Sequence, residues 1–201
     1  TTIATYSGGR FVHASGFALG GQHITMDLAR GIGACIADAE RIKTLYGTVL
    51  TGGSDSRERM SVPTAGDDRE TPQIVSRATI ANIVRHRAEE IFEMIRDRLA
   101  DSPFAAEPRA RVVLSGGASQ LTGTVELATR ILNRQVRIGR PLGFGRLPNE
   151  AKGASFSVPT GLLVYPQYAH LEHVEPRRTR QLRTGTDGYF GKVGRWLREG
   201  F

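Results

Sequence analysis

Val112-Val113-Leu114-Ser115-Gly116-Gly117-Ala118-Ser119 is the stretch on which the fold turns. A short apolar run that empties into two adjacent glycines ahead of a helical pattern predicts a buried strand, a tight turn and a helix N-terminus. Glycines at that point let backbone approach a flat or phosphorylated ligand closely, with helix N–H groups nearby. They equally suit a plain β–α turn, in which glycine merely permits the reversal. Taken alone, the stretch leaves both readings open.

Downstream, residues 121–132 have the spacing of an amphipathic helix, and residues 135–138 that of a short strand. Residues 139–153 form a Gly/Pro-rich loop, residues 154–165 are apolar enough for a buried helix, and beyond Pro166 the chain turns polar and basic like a linker. Upstream lies the clearest helix. Ser76 suits an N-cap, Ile80, Ile83, Val84, Ile91, Met94, Ile95 and Leu99 form one apolar stripe, and Pro103 and Pro108 end it. Residues 48–71 read as loop with one short strand around residues 58–62. Residues 22–34 place Ile24, Leu28 and Ile32 at helical spacing, and residues 37–46 predict a second short helix closed by Gly47. Residues 1–6 and 11–19 flank Ser7-Gly8-Gly9-Arg10 and predict a β-hairpin, because Gly-Gly supplies the positive φ angles of a tight reversal.

Composition sets bounds on this pattern. The chain has 201 residues, 39% of them hydrophobic and 23% charged, which excludes disorder throughout. Cys35 is the single cysteine, so an internal disulfide framework and a Cys-cluster metal site are both excluded, and a reducing compartment fits. No apolar run approaches the roughly 18 residues of a membrane span. The chain begins at Thr1 rather than Met, as a processed protein or a fragment would. Its net charge of +7 is uneven. Residues 176–201 hold Arg177, Arg178, Arg180, Arg183, Lys192, Arg195 and Arg198 against Asp187 and Glu199, a surplus of five, so the preceding 175 residues carry a surplus of only two.

That basic end is also amphipathic. On a helix over residues 188–201, Tyr189, Phe190, Val193, Trp196, Leu197 and Phe201 share one side, and Lys192, Arg195, Arg198 and Glu199 the other. Gly188, Gly191, Gly194 and Gly200 each weaken it by roughly 1 kcal/mol, so it is expected to be mostly unfolded in water. An anionic bilayer surface reverses the balance, since each buried large apolar side chain contributes about 1.5–3 kcal/mol and each nearby cation about 1 kcal/mol. A terminal helix docked on the body, or one held in a protein groove, would look similar. A nucleic-acid surface is disfavoured, because the arginines lie in one tail beside apolar aromatics rather than across a folded face.

Elsewhere, Glu40 and Lys43 stand three residues apart and share a helix face. A carboxylate and an ammonium so placed can hold the hydroxyls of a ribose, or simply form a surface ion pair. Catalytic constellations are absent. His13, His23, His86, His170 and His173 have no metal-ligand spacing, no G-x-S-x-G occurs, and Asp67-Asp68 and Glu89-Glu90 are adjacent pairs that face apart. Arg85, Arg87, Glu89 and Glu90 lie off the apolar stripe, as a solvated face or as a recognition surface for a mixed-charge peptide.

In this order the pieces resemble the C-terminal half of FtsA proteins, the actin-like bacterial division proteins that tie FtsZ filaments to the membrane. Thr1-Thr2 looks like the end of that family's second phosphate loop, and residues 20–29, Gly-Gly-Gln-His-Ile-Thr-Met-Asp-Leu-Ala, are similar to its Gly-Gly-Asp-His-Val-Thr-Asn-Asp segment. Residues 38–47 match its nucleotide-facing helix, residues 112–123 its adenosine motif, residues 135–141 its V-R-I-G-x-P, and the terminal Arg198-Glu199-Gly200-Phe201 its membrane-targeting end. Single motifs are shared with Hsp70 and sugar kinases, so an ATPase of that kind with an incidental tail is the alternative.

The resemblance implies an α/β fold of the actin/Hsp70 (ribonuclease H-like) type. Residues 1–20 and 110–168 would be a core subdomain, residues 21–109 a smaller α+β subdomain, residues 169–187 a flexible basic linker and residues 188–201 the membrane-targeting helix. It implies ATP and Mg²⁺ as cofactors, with at most weak ATPase activity. Glu40 and Lys43 would contact the ribose, Gly116, Gly117 and Ala118 the adenosine, and Thr1 and Thr2 the phosphates or Mg²⁺. Arg77, Arg87 and Glu90 would meet the FtsZ C-terminal peptide. Phe190, Val193, Trp196, Leu197 and Phe201 would insert into anionic lipid while Lys192, Arg195 and Arg198 meet its phosphates. Further expected partners are other copies of the chain in an actin-like polymer and other divisome proteins, at the cytoplasmic face of the division septum; nucleic acid is not among them. The first phosphate loop and the family's extra subdomain would precede Thr1, so this segment alone is expected to be inactive. Residues 52–69 are more acidic and polar than the family pattern.

Overall fold

Gly8 and Gly9 both adopt positive φ, +57° and +78°, and so join two antiparallel strands, β1 (Thr2–Ser7) and β2 (Arg10–Gly16), in the predicted hairpin. The computed structural model describes residues 1–52, 58–63, 72–102, 110–142 and 147–168. After the hairpin come helices α1 (Gly21–Gly31) and α2 (Ile36–Tyr46), then the antiparallel pair β3 (Arg59–Val62) and β4 (Gln73–Ser76). The long helix α3 (Arg77–Ala100) follows, with the Ser76 hydroxyl accepting from the Thr79 N–H at its predicted N-cap. Strands β5 (Val112–Leu114) and β6 (Val136–Ile138) pair in parallel, Val112 opposite Val136, and enclose α4 (Thr124–Leu132). The last element is α5 (Ser157–Tyr168). The chain divides into two units, Thr1–Leu163 and Val164–Phe201; of the second, only residues 164–168 at the end of α5 are described.

The core of the first unit forms where α1, α2 and α4 pack on α3. Ile24 and Leu28 of α1 meet Ile80 and Val84 of α3, all four essentially without solvent contact, and burial on this scale contributes about 1.5–3 kcal/mol per side chain. The predicted stripe is buried at Ile80, Val84, Ile91 and Ile95, whereas Ile83, Met94 and Leu99 lie at its margin. Ala81, Ala88 and Phe92 are buried as well, because helices pack on more than one flank of α3 and widen its covered face beyond a single stripe.

Three further differences from the sequence reading have physical causes. Strand β4 is too short to stand out by pattern: Ile74 and Val75 favour a strand, and pairing with β3, a non-local partner, completes it. The helix expected from residue 121 begins at Thr124, after a 3₁₀ turn at Gly117–Gln120. Gly123 at its cap has φ +83°, and a Cβ there would stand 2.5 Å from Leu50 Cγ. The third difference is a correction. Residues 154–165 are helical but not buried: Ala154 and Thr160 are covered, while Val158 and Leu162 remain 66% and 68% exposed. Apolar content was high there, but it surrounds the helix rather than forming a stripe, so content could not reveal which side is covered. Helix α5 also continues past Pro166 to Tyr168, at the cost of one backbone donor. Among the described residues no helix is long and apolar enough to cross a membrane. The residues expected to enter lipid, 188–201, lie outside the described ones, as do Pro103 and Pro108.

A candidate nucleotide site and a candidate partner surface

Cys35 Sγ accepts from the Asp38 N–H and starts α2, which turns Glu40 and Lys43 toward α1. There they meet Thr25, a fully buried side chain. An ammonium has three donors, and those of Lys43 reach Glu40 Oε2 at 2.6 Å, Thr25 Oγ1 at 2.8 Å and the Gly21 carbonyl at 3.2 Å. Lys43 is only 8% exposed, whereas the Glu40 side chain is 48% exposed. The Thr25 hydroxyl hydrogen-bonds Glu40 Oε2. Burial works to raise the Glu40 pKa, but the hydrogen bonds from Lys43 and Thr25, with the charge of Lys43, prevail and hold it below the ordinary carboxylate value.

This network adjoins the Gly-Gly turn. Gly21 packs so closely on it that a Cβ would stand 2.9 Å from Ala118 Cβ. The turn itself is tied down by Gly116 N–H donating to the Ala154 carbonyl at 3.0 Å and by the Ser115 hydroxyl donating to the same oxygen at 3.2 Å. Gly116 has φ +91°, which favours glycine, but Gly117 has an ordinary φ, and a Cβ at either would meet nothing within 4 Å. Internal packing therefore does not require glycine at 117. Gly47 closes α2 as predicted, although by space rather than conformation: its φ of −65° suits any residue, while a Cβ would lie 2.2 Å from the Lys43 carbonyl oxygen.

Thr1 is brought to the same region. It lines a cavity of about 110 Å³ together with Gly20, Gly21, Ser115, Ala118 and Ser119, and its hydroxyl donates to the Leu19 carbonyl at 2.6 Å. Its neighbour Thr2 pairs with Gly16 in the hairpin. A larger cavity of about 270 Å³ lies elsewhere, lined by Tyr46, Leu50, Arg77, Asn82 and Thr122 among others.

The candidate partner residues separate into two places. Arg87 Nε donates to Asp27 of α1 and Nη1 to Glu90, which leaves Nη2 outside these bonds. The bond to Asp27 is the main cause of a raised Arg87 pKa, so the guanidinium stays charged at every accessible pH. Arg77 pairs with Glu58 at 2.8 Å and lies 5.9 Å from the Tyr46 ring centroid. Ten residues of helix put it about 15 Å from Arg87 along α3. The site is thus one cation between two carboxylates, with Arg77 apart. Thr25 and Asp27 had no role assigned from sequence; the usable signal was that Thr25 follows Ile24 and precedes Leu28 by three, on the buried side of α1.

A family model described as "Cell division protein FtsA" matches residues 1–161. The chain belongs to the FtsA family. It is 48% identical over 203 residues to the cell division protein FtsA of Agrobacterium fabrum, covering all of this chain and 46% of that protein. Against FtsA of Escherichia coli it is 29% identical over 206 residues, covering 99% and 48%. The chain therefore spans about half the length of these relatives. Among solved structures, MreB5 of Spiroplasma citri bound to ADP aligns with TM-score 0.64 at 14% identity, over 86% of this chain and 53% of that one. The ethanolamine utilization protein EutJ of Carboxydothermus hydrogenoformans gives 0.53 at 19%, over 82% and 44%. These likenesses establish the fold: it is the actin-like one that the sequence resemblance implied.

Proposed function

We propose that this FtsA-family chain acts in cell division as an ATP-binding adaptor, which self-assembles and holds FtsZ filaments at the inner face of the membrane. The observation that carries the nucleotide part is convergence. Glu40, the Gly116-Gly117-Ala118 turn and Thr1 come from segments distant in sequence, yet Gly21 joins them, packed on Ala118 and bonded to Lys43. A half-exposed carboxylate beside open glycines suits a ribose and a base lying against backbone. The nucleotide-bound MreB5 structure supports the same cofactor. Mg²⁺ would come with the phosphates, to which it is usually bound with several waters, near Thr1 and Thr2.

Partner binding rests on Arg87 and Glu90, whose charges suit a peptide of mixed charge. Arg77, some 15 Å along the helix, would serve a second part of that peptide. The division into core residues 1–20 and 110–168, a smaller subdomain of residues 21–109, linker 169–187 and helix 188–201 belongs to the same proposal. Membrane attachment rests on the sequence of the last segment, with Trp196 as its largest apolar group and Lys192, Arg195 and Arg198 as its lipid-facing cations.

One sedimentation experiment tests the adaptor role: anionic vesicles, the natural full-length protein and FtsZ filaments. FtsZ should pellet with vesicles only when the protein is present. Trp196→Glu should lose both proteins from the pellet, and Arg87→Glu should lose FtsZ alone. Equal retention after both substitutions refutes the adaptor.

A further inference from the structure

The Thr25 hydroxyl is buried, polar and without any role in the partner surface or the Gly-Gly turn. Its bonds can be assigned by counting protons. It accepts from Lys43 Nζ at 2.8 Å, so its own proton has two possible acceptors, the Gly21 carbonyl at 3.2 Å and the Glu40 carboxylate. The carboxylate is charged and the closer of the two, so it takes the proton. All three Lys43 donors are then used internally, and Glu40 Oε2 receives two hydrogen bonds. Oε1 carries none of them, on a side chain that is 48% exposed.

We propose that Thr25 is a positioning residue, which with Lys43 fixes one oxygen of Glu40 so that the other is presented to the vicinal hydroxyls of a ribose. Lys43 acts through Glu40 rather than on the ligand. This rests on the nucleotide reading above and deepens it by naming what holds Glu40 in place. A glutamate side chain has three rotatable bonds, and pinning Oε2 through two donors removes that freedom before the ligand arrives. Hydrogen bonds to a charged acceptor held in place are stronger than those to a mobile one, because the ordering cost is already met. A purely structural Thr25 would do no more than satisfy the buried ammonium, and it would affect every ligand alike.

Affinity of the natural full-length protein for ATP and for 2′,3′-dideoxy-ATP, measured by calorimetry, separates these cases. The wild type should prefer ATP by about tenfold or more, as expected when a carboxylate pairs with both hydroxyls. Thr25→Val keeps the shape but loses the hydroxyl, and it should reduce that preference to about twofold by weakening ATP alone. Thr25→Ser should restore it. If Thr25→Val weakens both nucleotides equally, or leaves the preference unchanged, the positioning role is overturned while nucleotide binding stands. A wild type with no affinity for either nucleotide overturns the nucleotide reading itself, and the positioning role falls with it. Should Thr25→Val fail to fold, the serine variant and Lys43→Met carry the test, since Lys43→Met must also abolish the preference.

Discussion

Replacing Gly47 by alanine adds a single methyl group at a position whose φ of −65° and ψ of 124° suit any residue, so the whole effect is steric. The methyl would lie 2.2 Å from the Lys43 carbonyl oxygen and 2.7 Å from Leu121 Cδ2. The leucine end can rotate away, but the carbonyl is part of the α2 backbone and also accepts the Gly47 N–H at 2.9 Å. Relief therefore requires the last turn of α2 to shift and that bond to lengthen or break. Overpacking costs about 1–3 kcal/mol and the lost bond about 1 kcal/mol, a destabilisation of roughly 2–4 kcal/mol. For a protein of this size that corresponds to a fall in Tm of about 5–15 °C, readable by circular dichroism at helical wavelengths. The same shift displaces Lys43, so nucleotide affinity should fall with stability. A Gly47→Ala protein melting within about 2 °C of wild type would refute both the steric account and the claim that α2 is fixed at its C-terminal end.

Gly117→Ala is the complementary case: its methyl enters open space, so stability should stay within about 0.5 kcal/mol in chemical denaturation, while affinity for an ATP analogue falls severalfold. Unchanged affinity would show that no ligand approaches that backbone. For Glu40, whose folded pKa lies below its ordinary 4.5, the contribution to stability is present above that value and lost as pH falls through the lower folded one. Denaturant midpoints taken down this acid range should therefore decline less steeply for Glu40→Gln than for wild type, and identical slopes would refute the depressed pKa.

How far the sequence disclosed all this depended on whether the information was local. The hairpin was legible because two glycines fix a reversal by themselves, and α3 because Ser76 caps it and its apolar residues recur at helical spacing. Strand β4 was not, since four residues carry too little pattern and its pairing with Met60 and Ser61 of β3 is non-local. The outward face of α5 was invisible for the reason that apolar content says nothing of what lies opposite. At the site, spacing alone put Glu40 and Lys43 on one face, yet it could not tell that one is buried and the other half exposed. That distinction depends on Thr25, which reaches them from another helix.

Helix α1 gains a mechanical character from two of its residues. Thr25 bonds α2 and Asp27 bonds α3, and two positions apart they point about 200° away from each other around the axis. Rolling α1 either way would strain both attachments together. Rotation of the helix about its own axis is therefore opposed from two sides. Gly21, pressed on Ala118, is thereby carried by a helix held on two sides, as a strut rather than a roller.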